Sequence, residues 1–136
     1  MLLGRRDATS ASLDAANSNI LAPNFDISQL LSNFDSHGLS MQDLVVLSGA
    51  HTIGFARCTI FRNRIYNDTN IDPDYAASLE SVCRISGDDD VLVSLDDTPT
   101  SMDTDYYQGL IQNRGLLDSD QQLFQGDGSD IFLLRK

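Results

Sequence analysis

His51 is the residue of this sequence with the clearest potential for chemistry. It follows Leu44 and Leu47 at helical spacing, so its imidazole lies on the same side as apolar residues and is predicted to point toward the interior. A lone histidine in such a place is usually a core residue. The alternative is a metal ligand, since neutral imidazole binds transition metals through one ring nitrogen. His37, the other histidine, lies beside a predicted helix C-terminus, where a structural role is expected.

Two cysteines and one sequon bear on the compartment. Cys58 and Cys83 are either two buried thiols or one disulfide. Asn67, in the triplet Asn-Asp-Thr, is a formal glycosylation acceptor. Together an even cysteine count and a sequon favour the secretory route. The first residues are not predicted to be a signal peptide, because their apolar part is short and their charges follow it.

The composition excludes several classes of partner. The chain has 136 residues, one domain's worth, with 9 basic and 20 acidic side chains and a net charge of −11. Nucleic acid and anionic membrane surfaces are not expected as partners, because both need clustered Lys and Arg. No apolar run approaches the roughly 20 residues that span a bilayer. The acidic side chains suggest divalent cations, which take oxygen ligands, or simply a solvated surface.

The elements that must position these residues are predicted to be mainly helical, with long loops and no strong strand signal. Gly49 and Gly54 bracket His51, which indicates a helix end or close approach by a flat object. Residues 86–100 are predicted to be an irregular acidic loop. The predicted helices cover residues 26–35, a segment from Ser40 that is capped with Asp43 and carries His51, residues 61–66, a segment from Asp72-Pro73 to Cys83, residues 103–114 and residues 119–124.

Three further details of this prediction concern helix ends and faces. Gly38 is expected to close the first helix as a C-cap. Val82 is predicted to face inward with Ala76 and Leu79, and Tyr107 to face inward with Leu110 and Ile111. The pattern is lost after Gln125. We therefore predict a domain over residues 1–125 and a divergent tail over residues 126–136.

A long motif around His51 resembles a known family. Leu-Ser-Gly-Ala-His-Thr-Ile-Gly, residues 47–54, is similar to the proximal heme-ligand motif of class III secretory plant peroxidases. Segments in the same order agree, among them residues 3–7, residues 61–67, residues 70–73, Tyr106-Tyr107 and residues 115–124. The resemblance implies the proximal half of the plant heme peroxidase helical fold, truncated at both ends. It also implies that His51 is the axial ligand of one heme b and that Asp120 orients it.

The resemblance implies a calcium site next to that ligand. Its ligands map onto Thr52, Thr98, Asp103 and the backbone carbonyl of Ser101. The remaining aspartate does not align without a gap, and a one-residue deletion makes Asp96 the ligand. Mixed carboxylate, hydroxyl and carbonyl oxygens are what a hard cation requires. The same resemblance implies that Cys58 and Cys83 form a disulfide, that Asn67 is glycosylated, and that the parent protein is secreted, in the cell wall or the vacuole.

Two functions follow from the resemblance. In the first, the chain is a peroxidase that oxidises phenolic donors with hydrogen peroxide, in hydrogen peroxide breakdown and the response to oxidative stress. In the second, it is a non-catalytic truncated product with residual heme or calcium binding. The family's distal histidine and arginine lie in a Phe-His-Asp-Cys segment that has no counterpart here. The isolated chain is therefore expected to be poorly active, because general acid–base catalysis needs those groups.

Overall fold

Short helices joined by loops make up most of the described chain. The computed structural model describes residue 4 and residues 9–125, and within them the chain is mainly helical, as predicted. A 3₁₀ turn, Gly49–Thr52, follows the third helix directly. The elements are α1 (Leu13–Asn19), α2 (Ile27–Ser36), α3 (Met41–Ser48), β1 (Phe55–Arg57), α4 (Cys58–Asn67), α5 (Pro73–Val82), β2 (Leu92–Ser94), α6 (Asp105–Ile111) and α7 (Asp118–Gln121).

Three helices begin where they were predicted to begin, two of them from capping signals and α2 from its apolar face, and all three have a side-chain cap. The Asp26 side chain accepts a hydrogen bond from the backbone at the start of α2, and Asp72 does the same for α5. Ser40 and Asp43 form a reciprocal capping box at the start of α3. Gly38 follows α2 with φ of +71°, the left-handed conformation that glycine adopts without strain. These signals were reliable because each depends on residues three or four apart.

A two-stranded antiparallel sheet replaces part of the predicted acidic loop. β1 pairs with β2 so that Ala56 lies opposite Val93 and Arg57 opposite Leu92. Ala56 and Val93 pack against a hydrophobic cluster, whereas Phe55 and Leu92 are exposed. The expectation of an irregular segment was wrong for residues 92–94. Strands of three residues are too short for an alternating pattern to stand out from the sequence.

The sequence also missed one helix and misassigned two side chains. α1 has no buried residue, so it lacks the apolar periodicity by which a helix is detected. Val82 is exposed rather than inward-facing. In α6 the buried aromatic is Tyr106, at 3% exposure, whereas Tyr107 is only partly buried. α6 begins at Asp105 rather than residue 103, and its contacts decide which tyrosine turns inward.

The described residues bury their apolar side chains in two clusters. Cys58 and Cys83 are fully buried in the first cluster and form a disulfide with a Cα–Cα distance of 5.5 Å, which confirms the predicted pairing. The second cluster joins α2, α3 and α6 and lies behind His51. Its buried members are Leu30, Leu44, Val45, Tyr106, Leu110 and Leu123.

Two predicted features lie outside the described residues. They are most of the segment over residues 3–7 and the tail over residues 126–136, so the domain boundary at residue 125 stays a prediction. Across residues 9–125, none of the helices has both the length and the apolar character needed to cross a bilayer.

Candidate functional site

The end of α3 places His51. The helix stops at Ser48, and the Gly49 N–H bonds to the Leu47 carbonyl instead of continuing the α-helical ladder. The Val45 carbonyl, which Gly49 would otherwise reach, accepts a hydrogen bond from the Tyr107 hydroxyl at 2.8 Å. Of the two interpretations of the glycines, a helix end is therefore correct for Gly49. The 3₁₀ turn that follows carries His51 away from the helix axis.

Gly49 also makes room for Tyr107. A Cβ built on Gly49 would collide with the Tyr107 hydroxyl. We expect Gly49→Ala to destabilise the chain by about 1–3 kcal/mol, the usual cost of overpacking a buried site, as measured by urea denaturation. Gly109→Ala is the matched control, because its added methyl meets nothing closer than 4.0 Å and lies within α6. It should stabilise by about 0.5–1 kcal/mol through helix propensity. Equal destabilisation by both variants would contradict this prediction.

His51 and Asp120 form a hydrogen-bonded pair across 69 residues of sequence. The Nδ1 atom of His51 lies 2.9 Å from Oδ1 and 3.2 Å from Oδ2 of Asp120. The Asp120 side chain is 6% exposed and the His51 side chain 42% exposed. The hydrogen bond to Asp120, reinforced by the carboxylate charge, raises the pKa of His51 against the opposing effect of partial burial. Nδ1 is thus committed to Asp120, and the Nε2 atom has no hydrogen-bond partner within residues 9–125.

Tyr106 is a second donor to the same carboxylate. Its hydroxyl donates to Oδ1 of Asp120 at 3.1 Å, and its ring meets the His51 ring edge-on at 6.2 Å between centroids. Burial, together with the nearby Asp120 charge, raises the pKa of Tyr106 well above its ordinary value. The phenol therefore stays protonated and donates. Asp120 receives its bonds from side chains, so it does not serve as the helix cap that its position in α7 would also allow.

An open hollow of about 390 Å³ lies over the exposed side of His51. Its walls are mostly apolar and come from the α1–α2 connection, α2, α3 with the 3₁₀ turn after it, α4, and α7 with the segment before it. Leu47 faces this hollow with His51, as their spacing predicts, but the hollow is open and Leu47 remains exposed. The lining residues are Leu21, Ala22, Pro23, Leu30, Phe34, Leu44, Leu47, Ser48, His51, Ile60, Leu117, Ser119 and Asp120.

Behind His51, two carboxylates converge on one buried hydroxyl. Oγ1 of Thr52, which is 0% exposed, donates to Oδ2 of Asp96 at 2.8 Å and lies 3.1 Å from Oδ1 of Asp103. One hydroxyl proton serves only one acceptor at a time, so Thr52 can donate to only one of the two carboxylates. Bonds to the Asp105 backbone and to neighbouring hydroxyls lower the pKa of Asp103, which keeps that carboxylate charged.

The loop geometry distinguishes Asp96 from its neighbour. Asp96 reaches Thr52 and also accepts from the Thr98 backbone at 2.9 Å, whereas Asp97 pairs with Arg114. The Ser101 N–H donates to the Thr98 carbonyl at 2.9 Å, which folds the loop back on itself. The predicted residues therefore lie along one loop beside Thr52. The residues described contain no group of three or more His, Cys, Asp or Glu placed to hold a metal ion.

Sequence reasoning missed three buried polar residues that support this site. Tyr106 belongs to the Tyr106-Tyr107 segment that resembles the family, but Tyr107 was the tyrosine predicted to face inward. Gln121 is fully buried, and it joins α7 to the end of α6 through bonds with Gly115 and Leu110. Arg64, 3% exposed, donates to the Gly115 carbonyl just before α7. Gln121 and Arg64 both lie within segments that resemble the family, but no local sequence pattern shows that a polar residue is buried.

Comparison with known proteins agrees with this geometry. The family model described as peroxidase matches residues 1–132. The chain is 61% identical over 130 residues to Peroxidase RIP1 of Medicago truncatula, covering 96% of this chain and 40% of that protein. It is 52% identical over 132 residues to Peroxidase 4 of Vitis vinifera (94% and 41% covered) and 51% identical over 131 residues to Peroxidase P7 of Brassica rapa (94% and 44% covered).

The chain thus spans about two fifths of the length of these relatives. Nearly all of its own length is matched, and the match includes the histidine turn, the acidic loop and α7. The chain therefore belongs to the peroxidase family, in its class III plant branch.

Proposed function

We propose that this chain holds the heme of a peroxidase, with His51 as the axial ligand of the iron. The observation that carries the proposal is that the two ring nitrogens of His51 differ in their hydrogen bonding. Nδ1 is bonded to the buried carboxylate of Asp120, whereas Nε2 has no hydrogen-bond partner among residues 9–125, and His51 lines the hollow. A metal-binding histidine typically has its other ring nitrogen fixed by an acceptor, which sets the tautomer and makes the ligand more basic.

The hollow matches the chemistry of a flat apolar cofactor. Its lining is dominated by leucine, isoleucine, proline and phenylalanine, and His51 is more exposed than Asp120, the other titratable residue of the lining. Bound heme b would supply the redox centre through which hydrogen peroxide oxidises a phenolic donor. The chain's own residues bind and orient: Asp120 holds the Nδ1 proton, and the apolar walls exclude water. We propose hydrogen peroxide breakdown and the response to oxidative stress as the setting.

We assign none of the residues that line the hollow to the proton transfers that a peroxidase carries out on hydrogen peroxide. Among the described residues that line the hollow, His51 is the one histidine, and arginine is absent. General acid–base catalysis on hydrogen peroxide needs a base within hydrogen-bond reach of the reacting oxygen, and His51 is committed to the iron in this proposal. This observation favours the second candidate function, a chain that binds heme without efficient turnover.

One titration tests the first proposal and separates the two candidates. Ferric heme added to the full chain should give a saturable, ligated Soret band at one heme per chain. Guaiacol and hydrogen peroxide are then added to the loaded chain. Turnover far below that of an intact plant peroxidase supports the heme-binding candidate, and comparable turnover supports the enzyme. A titration without saturation would contradict heme binding altogether.

We propose that Thr52, Asp96, Thr98, Ser101 and Asp103 hold a calcium ion. The donor set supports this, because the carboxylates of Asp96 and Asp103 lie close to the buried hydroxyl of Thr52. The Thr98 hydroxyl also lies beside Asp96. Calcium takes six to eight oxygens and accepts backbone carbonyls among them, and the Ser101 carbonyl is the proposed contribution of that kind. Because Thr52 adjoins His51, the same ion would hold the turn that presents the imidazole.

Calcium should raise the thermal stability of the chain. Bound only by the folded state, the ion contributes about 2.7 kcal/mol when free calcium is about 100 times Kd. The measurement is the melting temperature in calcium chloride against that in EGTA. Asp96→Asn should abolish the difference, whereas Asp97→Asn should preserve it, because Asp97 faces Arg114 instead of Thr52. An equal response from both variants would exclude this assignment.

We propose a secreted protein of the cell wall or vacuole, glycosylated at Asn67. The disulfide between Cys58 and Cys83 supports an oxidising compartment. Asn67 is exposed at the end of α4, where its side chain bonds to Asn63 and is accessible for modification. Small substrates rather than nucleic acid are the proposed partners, as the net charge of −11 indicates.

A further inference from the structure

Two donors share one oxygen of the Asp120 carboxylate. The His51 Nδ1 atom lies 2.9 Å from Oδ1, and the Tyr106 hydroxyl donates to the same oxygen at 3.1 Å. A carboxylate oxygen that accepts two hydrogen bonds divides its charge between them. The strength of the bond to the imidazole therefore depends on the strength of the bond from the phenol.

Tyr106 is built to be a permanent donor. The residue is 3% exposed, so water does not replace its hydroxyl at the carboxylate. Its ring packs edge-on against His51 on one side and against Tyr107 on the other, at 6.2 Å and 5.0 Å between centroids. A buried hydroxyl aimed at a buried carboxylate is worth more than the same contact in water, because the surroundings screen it less.

The backbone around Tyr106 is fixed on both sides. Two residues before α6, Asp103 lies 3.1 Å from Oγ1 of Thr52 and accepts from the Asp105 N–H at 2.9 Å. Directly after Tyr106, the Tyr107 hydroxyl bonds to the Val45 carbonyl of α3 at 2.8 Å. The phenol is thus held in register with the turn that carries the histidine, and its distance from Asp120 is set by the fold.

We propose that Tyr106 is a positioning residue that limits how strongly Asp120 pulls on the Nδ1 proton of His51. The inference rests on the proposed function for its consequence at the iron. Without the phenol, the carboxylate charge falls on the imidazole N–H alone, the imidazole becomes more electron-rich, and a more basic ligand lowers the reduction potential of the metal. With the phenol in place, the potential is held higher.

The first measurement uses the full chain without heme. The proton NMR signal of the His51 Nδ1–H reports the strength of its bond to Asp120. Tyr106→Phe keeps the ring and removes the donor, so the signal should move downfield. A ring-fluorinated tyrosine at position 106 is a stronger donor and should move the signal upfield. Tyr66→Phe is the matched control, because that hydroxyl bonds to the Cys83 carbonyl, and it should leave the signal unchanged.

The second measurement uses the heme-loaded chain. The iron–imidazole stretching band of the ferrous form should rise in frequency in Tyr106→Phe and fall in the fluorinated variant, and the reduction potential should move oppositely. Shifts of opposite sign in the two variants support the inference. Shifts of the same sign indicate loosened packing and overturn it, as does an unchanged NMR signal. Opposite NMR shifts in a chain whose heme gives no His51-dependent band would remove the proposed heme ligation but keep the role of Tyr106 toward Asp120.

Discussion

His51→Ala should lower the affinity of the chain for ferric heme by more than about 100-fold. Removing only the residue that is hydrogen-bonded to a metal ligand costs about 10–100-fold in affinity, and removing the ligand itself should cost more. The sharp Soret band of histidine-ligated heme should disappear with it. The physical reason is that His51 lines the hollow and that its Nε2 has no hydrogen-bond partner in the described part of the chain, since Nδ1 is bonded to Asp120. The apolar walls remain in the variant, so weak binding with a broad, unligated spectrum is expected to persist.

Two further variants make this result specific. Asp120→Asn removes the charge behind the ligand and should fall between the wild-type chain and His51→Ala in affinity. His37→Ala replaces the other histidine of the sequence, whose Nδ1 lies 2.8 Å from the Asn33 carbonyl at the end of α2, and it should bind heme as the wild type does. A ligated spectrum that survives His51→Ala, or is lost in His37→Ala, would rule out His51 as the axial ligand.

Arg64→Met should destabilise the chain by about 3 kcal/mol, at the lower end of the range for breaking a buried ion pair. The guanidinium is 3% exposed and donates to the Gly115 carbonyl at 3.1 Å, to Asp68 at 3.1 Å and to Asn70 at 2.6 Å. Its removal takes the donor from the buried contact with the Gly115 carbonyl and from the part-buried contacts with Asn70. The Asp68 carboxylate keeps 27% exposure and can regain water, which limits the loss.

Arg84→Met is the matched control for that measurement. Arg84 and Asp88 repeat the i, i+4 arrangement of Arg64 and Asp68, but the Arg84 side chain is 73% exposed. Exposed pairs contribute little, so urea denaturation should give nearly the wild-type midpoint for Arg84→Met and a clearly lower one for Arg64→Met. A similar loss in the two variants would mean that burial of Arg64 carries no special weight. Because Gly115 leads into α7, the Arg64 variant should also bind heme more weakly.

The parts of the fold that the sequence predicted well are those with local causes. The capped starts of α2, α3 and α5 each depend on a side chain bonded three residues away, which a linear pattern records. The two short strands have no such cause. Ala56 and Val93 pair because the intervening chain brings them together, and three-residue strands leave no period to read.

In the candidate site, too, local features were predicted from the sequence and long-range contacts were not. The spacing of His51 with Leu47 predicted that both side chains face the same way, and both line the hollow, although His51 lies in the 3₁₀ turn after α3. Its partner is 69 residues away and came only from the family resemblance. The choice between Tyr106 and Tyr107 depended on which face of α6 packs against the core. Successive helical residues are about 100° apart, so adjacent tyrosines face different surroundings, and only the tertiary contacts decide which is buried.

The hydrogen bonds around His51 also have a consequence for how the chain folds. The bonds that link His51 to Asp120, Thr52 to Asp96 and Asp103, and Tyr107 to Val45 span 69, 44, 51 and 62 residues. Contacts of such high order close large loops, and their entropy is lost before the contact is gained. We therefore expect local helical turns to form before these bonds, and the imidazole to acquire its orientation late in folding.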